Sequence, residues 1–426
     1  MKSPVLPLFL SLSAALATCL AACAPGPALK GPAVVQQAAA TRPLHHSGEP
    51  VPGQWLVGLR NPAASARLLP PGSRSLGPIG VYLVRSAQAP ASLEPARNPE
   101  VLFLEPNRYI HLEPVRDPEP VLRRNPAAGP NDPLFAQQYA HQLTQATAGW
   151  QISQGSDKVT IAIVDSGIDR YHPELKDKLA AGMYVGTPGS DYSAFYDPFG
   201  HGTHVAGIAA AVADNQVGVA GVAPRASLFS ARVLDENGEG TNADVVDGIV
   251  WAVQSRADIL NLSLGSPVSA YAIKQAVEYA VKNGALVVAA MGNEGDESES
   301  YPAAWPGVIA VGSTNSKDVR SGFSQFGSWI SVSAPGSKIL STLPTYANAF
   351  EGKEYGSVSG TSMAAPYVSG LLALIKSVRP ELRPEDYKAI LFKGVDDLGP
   401  PGFDKEYGHG RVNLAKALQA AREYVR

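Results

Sequence analysis

Short, continuous apolar runs alternate with amphipathic stretches throughout the chain after about residue 130. Runs of this kind are typical of parallel strands that are buried on both faces of a sheet. Apolar residues at helical spacing fill the intervals, as in Val245, Val246 and Ile249 after Asn242. The alternation predicts an α/β fold with a central parallel sheet. The strands are predicted at 160–165, 228–234, 259–264, 285–290 and 308–313.

The N-terminal part of the chain has a different pattern. Residues 23–49 are rich in Ala, Pro and Gly without a period, which predicts a flexible tether. Apolar runs within 50–113 predict strands at 54–59, 81–84 and 101–104, and therefore a separate small domain. Residues 114–130 are too dense in proline for regular structure and are interpreted as a linker. The large domain then occupies 131–426.

Residues 1–22 have the features of an export signal. Lys2 precedes an apolar stretch at 5–17 that Pro7 and several serines interrupt, so it is too short for a membrane span. Leu20-Ala21-Ala22-Cys23 resembles the lipobox of bacterial lipoproteins, in which the cysteine is lipidated. We therefore expect an exported protein, anchored to the cell envelope through Cys23 or extracellular after processing. A plain signal peptide cut after a small residue is the alternative.

Composition narrows the possible chemistry. The 426 residues, 45% of them hydrophobic, are enough for one large core and additional segments. Lys and Arg number 35 against 38 Asp and Glu, without a long run of either sign, so nucleic acid is not expected as a partner. The two cysteines, Cys19 and Cys23, both precede the predicted domains, which excludes a disulfide or a thiolate metal site there.

Four polar residues lie where an α/β sheet places its ligands. Asp165 ends one predicted strand and Asn293 follows another, so both belong to the carboxyl edge of the sheet. His201 and Ser362 each open a predicted helix, and a helix N-terminus stabilises an oxyanion. A serine becomes a nucleophile when a neutral imidazole accepts its proton and a carboxylate orients that imidazole. The Ser362 backbone N–H and the Asn293 amide are suitable donors to the intermediate.

Several alternatives remain open from the residues alone. His204 competes with His201 for the role of base, and Asp169 competes with Asp165. The spacing of the two histidines also permits a metal, although no HExxH motif or third ligand is near. An esterase of the α/β-hydrolase type would need a GxSxG elbow, which is missing around Ser362. Pro366 is expected in the first turn of its helix, where its missing N–H costs nothing.

The blocks IAIVDSGID, HGTHVAG and SGTSMAAP occur in the order Asp, His, Ser. Together with AAMGNEG they resemble the signature blocks of the subtilisin (subtilase) family of serine endopeptidases, most closely its thermitase-like branch. The resemblance spans 131–425 and implies a three-layer subtilisin-like α/β fold with a central parallel sheet. It also implies hydrolysis of peptide bonds in protein substrates through an acyl-enzyme.

The resemblance assigns roles to individual residues. Asp165 would orient the base, His201 would be the general base and acid, Ser362 the nucleophile and Asn293 the oxyanion donor. Glu239 and Glu294 could favour basic side chains or be ordinary charges at the rim. The Tyr301–Pro302 bond matches a position that is often cis in the family, whereas trans is the usual state. The implied substrate-binding residues are Ser263, Leu264, Gly265, Gly238, Gly240 and Gly292.

A structural calcium site is also implied by the resemblance. Its ligands are carboxylate, amide and carbonyl oxygens, which suit a hard cation. Glu174 stands where the family usually has Asp, and Asn215 could instead belong to an ordinary turn. The implied ligands are Asp132, Glu174, Val212, Asn215, Val217 and Val219.

The small domain at 50–113 ends in FLEPN and resembles the inhibitory propeptide of the family, an α+β module. The expected partners are therefore protein substrates, the chain's own propeptide and, through Cys23, a membrane, and we expect a monomer. A catalytically silent envelope protein that binds peptides in the same cleft is the alternative function. Such proteins usually lack a triad residue, and here none is missing.

Overall fold

The computed structural model describes residues 44–113, 115, 117, 118, 120, 121, 129–186, 194–350 and 352–425. The predicted signal with Cys23, the tether up to residue 43 and most of the proline-rich linker lie outside the described residues. Residues from Leu44 onward form one unit. The domain boundaries remain a prediction.

The N-terminal domain is a small antiparallel sheet. Its own strands stand in the order β2-β3-β1-β4, so the two longest strands, β1 and β4, pair with each other, and the other side of β4 pairs with residues 239–241 of the C-terminal domain. The strands expected at 54–59, 81–84 and 101–104 are all present. The elements are β1 (Pro50–Leu59), α1 (Ser65–Leu68), β2 (Arg74–Ser75), β3 (Val81–Arg85) and β4 (Val101–His111).

The C-terminal domain alternates strands and helices. The five predicted strands are β5, β7, β9, β10 and β11, each within two residues of its predicted bounds. The elements are α2 (Tyr139–Leu143), α3 (Ala146–Trp150), β5 (Thr160–Asp165), β6 (Leu179–Tyr184), α4 (His201–Ala210), β7 (Ser227–Arg232), β8 (Glu239–Thr241), α5 (Asn242–Gln254), β9 (Ile259–Leu262), α6 (Tyr271–Lys282), β10 (Leu286–Ala290), β11 (Ile309–Thr314), β12 (Val332–Pro335), β13 (Ile339–Thr342), β14 (Tyr355–Val358), α7 (Thr361–Val378), α8 (Pro384–Lys393), β15 (Val395–Asp396), β16 (Arg411–Val412) and α9 (Leu414–Glu423).

The central sheet is buried on both faces, as the continuous apolar runs predict. Among the described residues it has nine strands in the order β15-β16-β12-β11-β10-β9-β5-β7-β6, parallel except at the β15/β16 edge. Successive residues of β5 enter opposite cores: Ile161 and Ile163 pack with α4 and α7, whereas Ala162 and Val164 pack with α5 and α6. The result is the three-layer α/β fold that the sequence predicts.

The N-terminal domain packs on α5 and α6. Leu56, Leu83 and Phe103 belong to the same buried cluster as these two helices. The Glu105 carboxylate accepts the backbone N–H groups of Tyr271 and Ala272, both at 2.9 Å, and so caps α6. Because α6 has no side-chain cap of its own, this contact satisfies two N–H groups that would otherwise lack acceptors.

Residues 44–49, expected as the end of a flexible tether, contact the N-terminal sheet. The Gly48 N–H donates to the Tyr109 carbonyl at 2.8 Å, and the Tyr109 N–H donates to the Glu49 carbonyl at 2.9 Å. The imidazole of His45 stacks on the Tyr109 ring at a centroid distance of 3.9 Å. This segment therefore makes a turn at 47–48 and packs against the end of β4.

Candidate active site

The sheet brings Asp165 and His201 into contact. Asp165 is the last residue of β5 and His201 the first of α4, and both side chains are buried. Nδ1 of His201 lies 2.8 Å from Oδ1 and 2.9 Å from Oδ2 of Asp165. A carboxylate is acceptor only, so the imidazole donates Nδ1–H to it. Nε2 of a neutral His201 is then the proton acceptor.

Ser362 is the second residue of α7, so its backbone N–H belongs to the first turn and has no partner within the helix. Pro366 is the sixth residue of α7, not a first-turn residue as the sequence predicts. Its missing N–H would have paired with the Ser362 carbonyl four residues earlier. The Ser263 hydroxyl donates to that carbonyl instead, at 2.7 Å. The Ser362 hydroxyl in turn donates to the Ser263 carbonyl at 3.1 Å.

A buried relay of side chains holds Ser263. The side-chain NH₂ of Asn261 donates to the Ser263 hydroxyl at 2.9 Å. The side-chain amide oxygen Oδ1 of Asn261 in turn accepts the Ser369 hydroxyl of α7 at 2.8 Å. All three residues are fully buried. The sequence assigned Ser263 to substrate binding, and the structure adds that its side chain positions the candidate nucleophile.

The orientation of the Asn293 amide is determined by its neighbours. Its oxygen accepts the Thr361 backbone N–H at 2.9 Å and the Thr361 hydroxyl at 3.0 Å. A backbone N–H can only donate, so Oδ1 must face Thr361 and the NH₂ group remains to donate elsewhere. The preceding Gly292 has a φ of +108°, a backbone conformation that residues with a side chain rarely adopt.

One cleft of about 460 Å³ joins these residues. His201, Ser362 and Asn293 line it together with Gly292, Leu264 and Gly265, so three of the six predicted substrate-binding residues share this cavity with the candidate triad.

The opposite edge, at Gly238 and Gly240, is occupied by the chain itself. Ile110 pairs with Gly240, and the Leu112 N–H donates to the Gly238 carbonyl at 3.1 Å.

The two rivals of the candidate triad have structural roles. Nε2 of His204 lies 3.1 Å from the Gly356 carbonyl, and burial lowers the pKa of His204 to about 3, so its ring is neutral near pH 7. The Asp169 carboxylate accepts the backbone N–H and the hydroxyl of Thr345, at 2.8 and 2.7 Å. Within the described ranges, no group of three or more His, Cys, Asp or Glu side chains is suited to a metal ion.

Asp197 was not singled out by the sequence. It is fully buried, and its carboxylate accepts the Ser166 hydroxyl and the Gly200 N–H on one oxygen and the Thr203 N–H on the other, at 2.7 to 2.8 Å. Burial raises the pKa of Asp197. The only sequence signal is its place four residues before His201, ahead of the α4 N-terminus, where a carboxylate is favourable.

The implied calcium ligands also come together. The Glu174 carboxylate accepts the Val219 N–H at 2.9 Å and the Asn215 amide at 2.8 Å. Asp132 accepts the backbone N–H groups of Asp214 and Asn215. Burial raises the pKa of the Asp132 carboxyl, and it raises the pKa of the Glu174 carboxyl to about 7. Two buried carboxylates beside one loop fit a divalent cation, although the Asn215 oxygen accepts the Val217 N–H at 2.9 Å.

The two acidic residues near the cleft have different surroundings. Glu239 is buried and accepts the His45 backbone N–H at 2.7 Å. Glu294 is exposed, and its Oε2 accepts the Asn293 N–H at 3.0 Å. The Tyr301–Pro302 peptide bond is cis.

Comparison with known proteins identifies the family of this chain. The model of the family described as Subtilase family (Peptidase_S8) matches residues 156–410, which include Asp165, His201, Asn293 and Ser362. The chain belongs to the subtilase family.

Three known members of the comparison are similar to the chain over about two thirds or more of its length. Thermitase from Thermoactinomyces vulgaris is 42% identical over 292 residues, which cover 68% of this chain and 99% of thermitase. A thermophilic serine proteinase of Bacillus sp. (strain AK1) is 37% identical over 327 residues, 75% of the chain and 73% of the relative. Subtilisin E of Bacillus subtilis (strain 168) is 40% identical over 291 residues, 67% and 72% respectively. The subtilase is therefore a thermitase-like serine endopeptidase. In the described part of the chain, no helix is long and apolar enough to span a membrane.

Proposed function

We propose that Ser362, His201 and Asp165 are the catalytic triad of this subtilase and that Asn293 is its oxyanion donor. The contact of Nδ1 of His201 with both carboxylate oxygens of Asp165 carries the proposal. It leaves Nε2 as the acceptor in the cleft that also holds Ser362 and Asn293. Three side chains and one amide are thus available in the roles that acyl transfer requires.

The reaction follows from these positions. The Ser362 hydroxyl first breaks its hydrogen bond to the Ser263 carbonyl. It then transfers its proton to Nε2 of His201, and its oxygen attacks the carbonyl carbon of the scissile peptide bond. Asp165 stabilises the imidazolium that forms. The Ser362 N–H and the Asn293 NH₂ donate to the oxyanion, and the imidazolium then protonates the leaving amine. Water, deprotonated by His201, releases the acyl group.

We further propose that the chain is a zymogen whose N-terminal domain inhibits the cleft and is removed by cleavage in the 114–130 linker. The pairing of β4 with β8 supports this, because it occupies the backbone edge that an extended substrate would use. Glu113 and Val115, which follow β4, line the cleft beside the triad. The Glu105 cap supplies a specific contact for the bound state.

We propose a structural calcium ion held by Asp132 and Glu174, with the loop 212–219 contributing Asn215 and the carbonyls of Val212, Val217 and Val219. The two carboxylates supply the charge that a divalent cation needs. The Asn215 side chain has to turn its oxygen toward the ion, since in the described structure its NH₂ faces Glu174. Bound calcium would link Asp132 and Glu174 to the loop 212–219.

Export and lipidation at Cys23 are proposed from the sequence of residues 1–23 alone. The protein would then act outside the cytoplasm, on protein substrates.

The experiment compares the wild type with Ser362→Ala by intact mass and N-terminal sequence, each before and after a serine-directed fluorophosphonate. We expect the wild type to lose its N-terminal domain and gain one adduct, while Ser362→Ala stays full length and unlabelled. Two folded proteins that both remain unprocessed and unlabelled would contradict the proposal and favour a peptide-binding protein. Labelling without processing would retain the triad and point to a separate activating protease.

A further inference from the structure

The cleft has two ends, which the proposed mechanism distinguishes. The leaving amine must lie next to His201, because the imidazolium protonates it. The side chain that precedes the scissile bond, P1, must therefore extend toward the other end, past Asn293. At that end the cleft is lined by Gly292, Glu294, Ser298, Ser300 and Gln325. The chemistry of these residues determines which P1 side chain fits.

Gln325 has an unsatisfied acceptor at this end. The side chain is 2% exposed, and its Nε2 donates to the carbonyl and the hydroxyl of Ser298. Its amide oxygen has no hydrogen-bond partner among the described residues. If Gly292 carried a Cβ, that atom would lie only 1.4 Å from the Gln325 amide oxygen. The oxygen therefore packs directly against the backbone of Gly292 in the cleft wall. A buried acceptor without a partner is unfavourable, so a donor from a ligand stabilises this site.

Other residues with side-chain oxygens line the same end of the cleft. Oε2 of Glu294 lies 3.2 Å from that Gly292 position, so it is on the same face as the Gln325 oxygen. The Ser300 hydroxyl lies 2.7 Å from the corresponding position on Gly265, another residue of the cleft lining. Leu264 and Phe323 supply apolar surface to the same cleft. The pocket thus suits a side chain with an apolar stem and a hydrogen-bond-donating tip.

The wall that carries Glu294 is strongly acidic. Residues 294–299 read Glu-Gly-Asp-Glu-Ser-Glu, with four carboxylates in six residues. Lys405 pairs with one of these carboxylates, that of Glu297, at 3.1 Å, and Arg320 donates to the Ser324 carbonyl at 2.7 Å, which leaves Glu294, Asp296 and Glu299 as the excess negative charge. The field at this end of the cleft is therefore negative, which attracts a cationic tip and repels an anionic one.

We propose that this pocket selects lysine or arginine at P1, with Gln325 as the hydrogen-bond acceptor and Glu294 as the counter-charge. The inference rests on the proposed function, since it uses the positions of His201 and Asn293 to orient the substrate. It resolves the open question about the two acids near the cleft: Glu294 faces P1, whereas Glu239 binds the His45 backbone.

The test measures kcat/KM on peptide substrates that differ only at P1. Norleucine is the matched reference for lysine, because it keeps the stem and lacks the ammonium group. We expect lysine to exceed norleucine by about 10-fold or more, a typical value for a charge-assisted contact at a solvated site, and glutamate to be the poorest substrate. The ratio should fall in 1 M salt, since exposed charges are screened over a few ångströms there.

Two variants locate the preference. Glu294→Gln and Gln325→Met should each lower the lysine-to-norleucine ratio by about 3- to 10-fold. Glu297→Gln is the control, because it removes a charge from the same loop but its carboxylate contacts Lys405. Its ratio should stay within about 2-fold of wild type.

A wild-type ratio near one, or an equal loss in Glu297→Gln and Glu294→Gln, would overturn the inference. Failure of every substrate together with absence of fluorophosphonate labelling would instead contradict the proposed function.

Discussion

The Ser166 hydroxyl donates a hydrogen bond of 2.8 Å to the buried carboxylate of Asp197. Ser166 follows Asp165, and Asp197 also accepts the N–H groups of Gly200 and Thr203 on either side of His201. The same serine oxygen accepts the Gly202 N–H at 3.0 Å. One carboxylate thus joins the end of β5 to the start of α4 and sets the relative position of Asp165 and His201.

Asp197→Asn should lower kcat by about 10- to 100-fold with little change in KM. Every contact of the carboxylate comes from a donor, so an amide NH₂ would face another N–H group and shift α4, and small misplacements cost rates of this order. Steady-state kinetics on enzyme counted by fluorophosphonate titration would measure the effect. Asp258→Asn is the control, because that carboxylate accepts the Thr160 N–H at the opposite end of β5. A similar kcat loss in both variants would refute a local role.

Ser263→Ala should lower both stability and kcat. It leaves the Ser362 carbonyl without a donor, because Pro366 cannot supply one, and an unpaired buried acceptor costs about 1 to 3 kcal/mol. Ser377→Ala removes a comparable hydroxyl, which donates to the Leu374 carbonyl at the far end of α7. That control should lose stability alone. Equal kcat values in Ser263→Ala and wild type would show that this contact does not position the nucleophile.

The strands of the central sheet could be predicted because their residues are apolar on both faces. The run at 160–165 matches β5 to the residue, since Ile161 and Ala162 enter different cores. The edge strand β15 and its neighbour β16 are each two residues long and carry no such pattern. The packing of residues 44–49 against β4 was missed because it depends on Tyr109, which is far away in the sequence.

The candidate site was predictable where a residue's type states its chemistry. Asp165, His201, Ser362 and Asn293 carry their own functional groups, and the parallel sheet brings their strand and helix ends to one edge. Asp197, Asn261 and Gln325 were not predictable, because their roles depend on which donors and acceptors surround them after folding. Pro366 shows the same limit, since its tolerance in the second turn depends on the Ser263 hydroxyl.

Glu105→Ala should lower the stability of the full-length chain by about 1 to 2 kcal/mol, the usual cost of losing a helix cap. Two N–H groups of α6 lose their acceptor at the interface with the N-terminal domain. Denaturant unfolding in a Ser362→Ala background would measure it without self-cleavage. Glu94→Ala, which removes an exposed partner of Arg97 in the same domain, should change little. Equal effects would contradict the capping role.

Removal of calcium should lower the melting temperature of the wild type. An ion present at 100 times its dissociation constant stabilises the folded state by about 2.7 kcal/mol, and a chelator removes that contribution. Asp132→Asn should abolish the difference between melts with and without chelator. Asp214→Asn should retain it, because the Asp214 carboxylate accepts the Asn131 N–H outside the proposed ligand set. A chelator without effect on the wild type would count against the site.

Buried histidines should make the fold less stable in mild acid. Burial lowers the pKa of His141 from 6.5 to about 4, so the unfolded chain takes up this proton first as the pH falls. Stability from this residue is complete above pH 6.5 and is lost progressively toward pH 4. Between pH 7 and 5 the loss is roughly 2 kcal/mol. Nε2 of His141 lies 2.9 Å from the Ala220 carbonyl, a contact that the amide of His141→Gln can replace. Urea unfolding at both pH values should show this loss in the wild type and a smaller one in His141→Gln. An identical pH dependence in the two proteins would show that His141 does not titrate on unfolding.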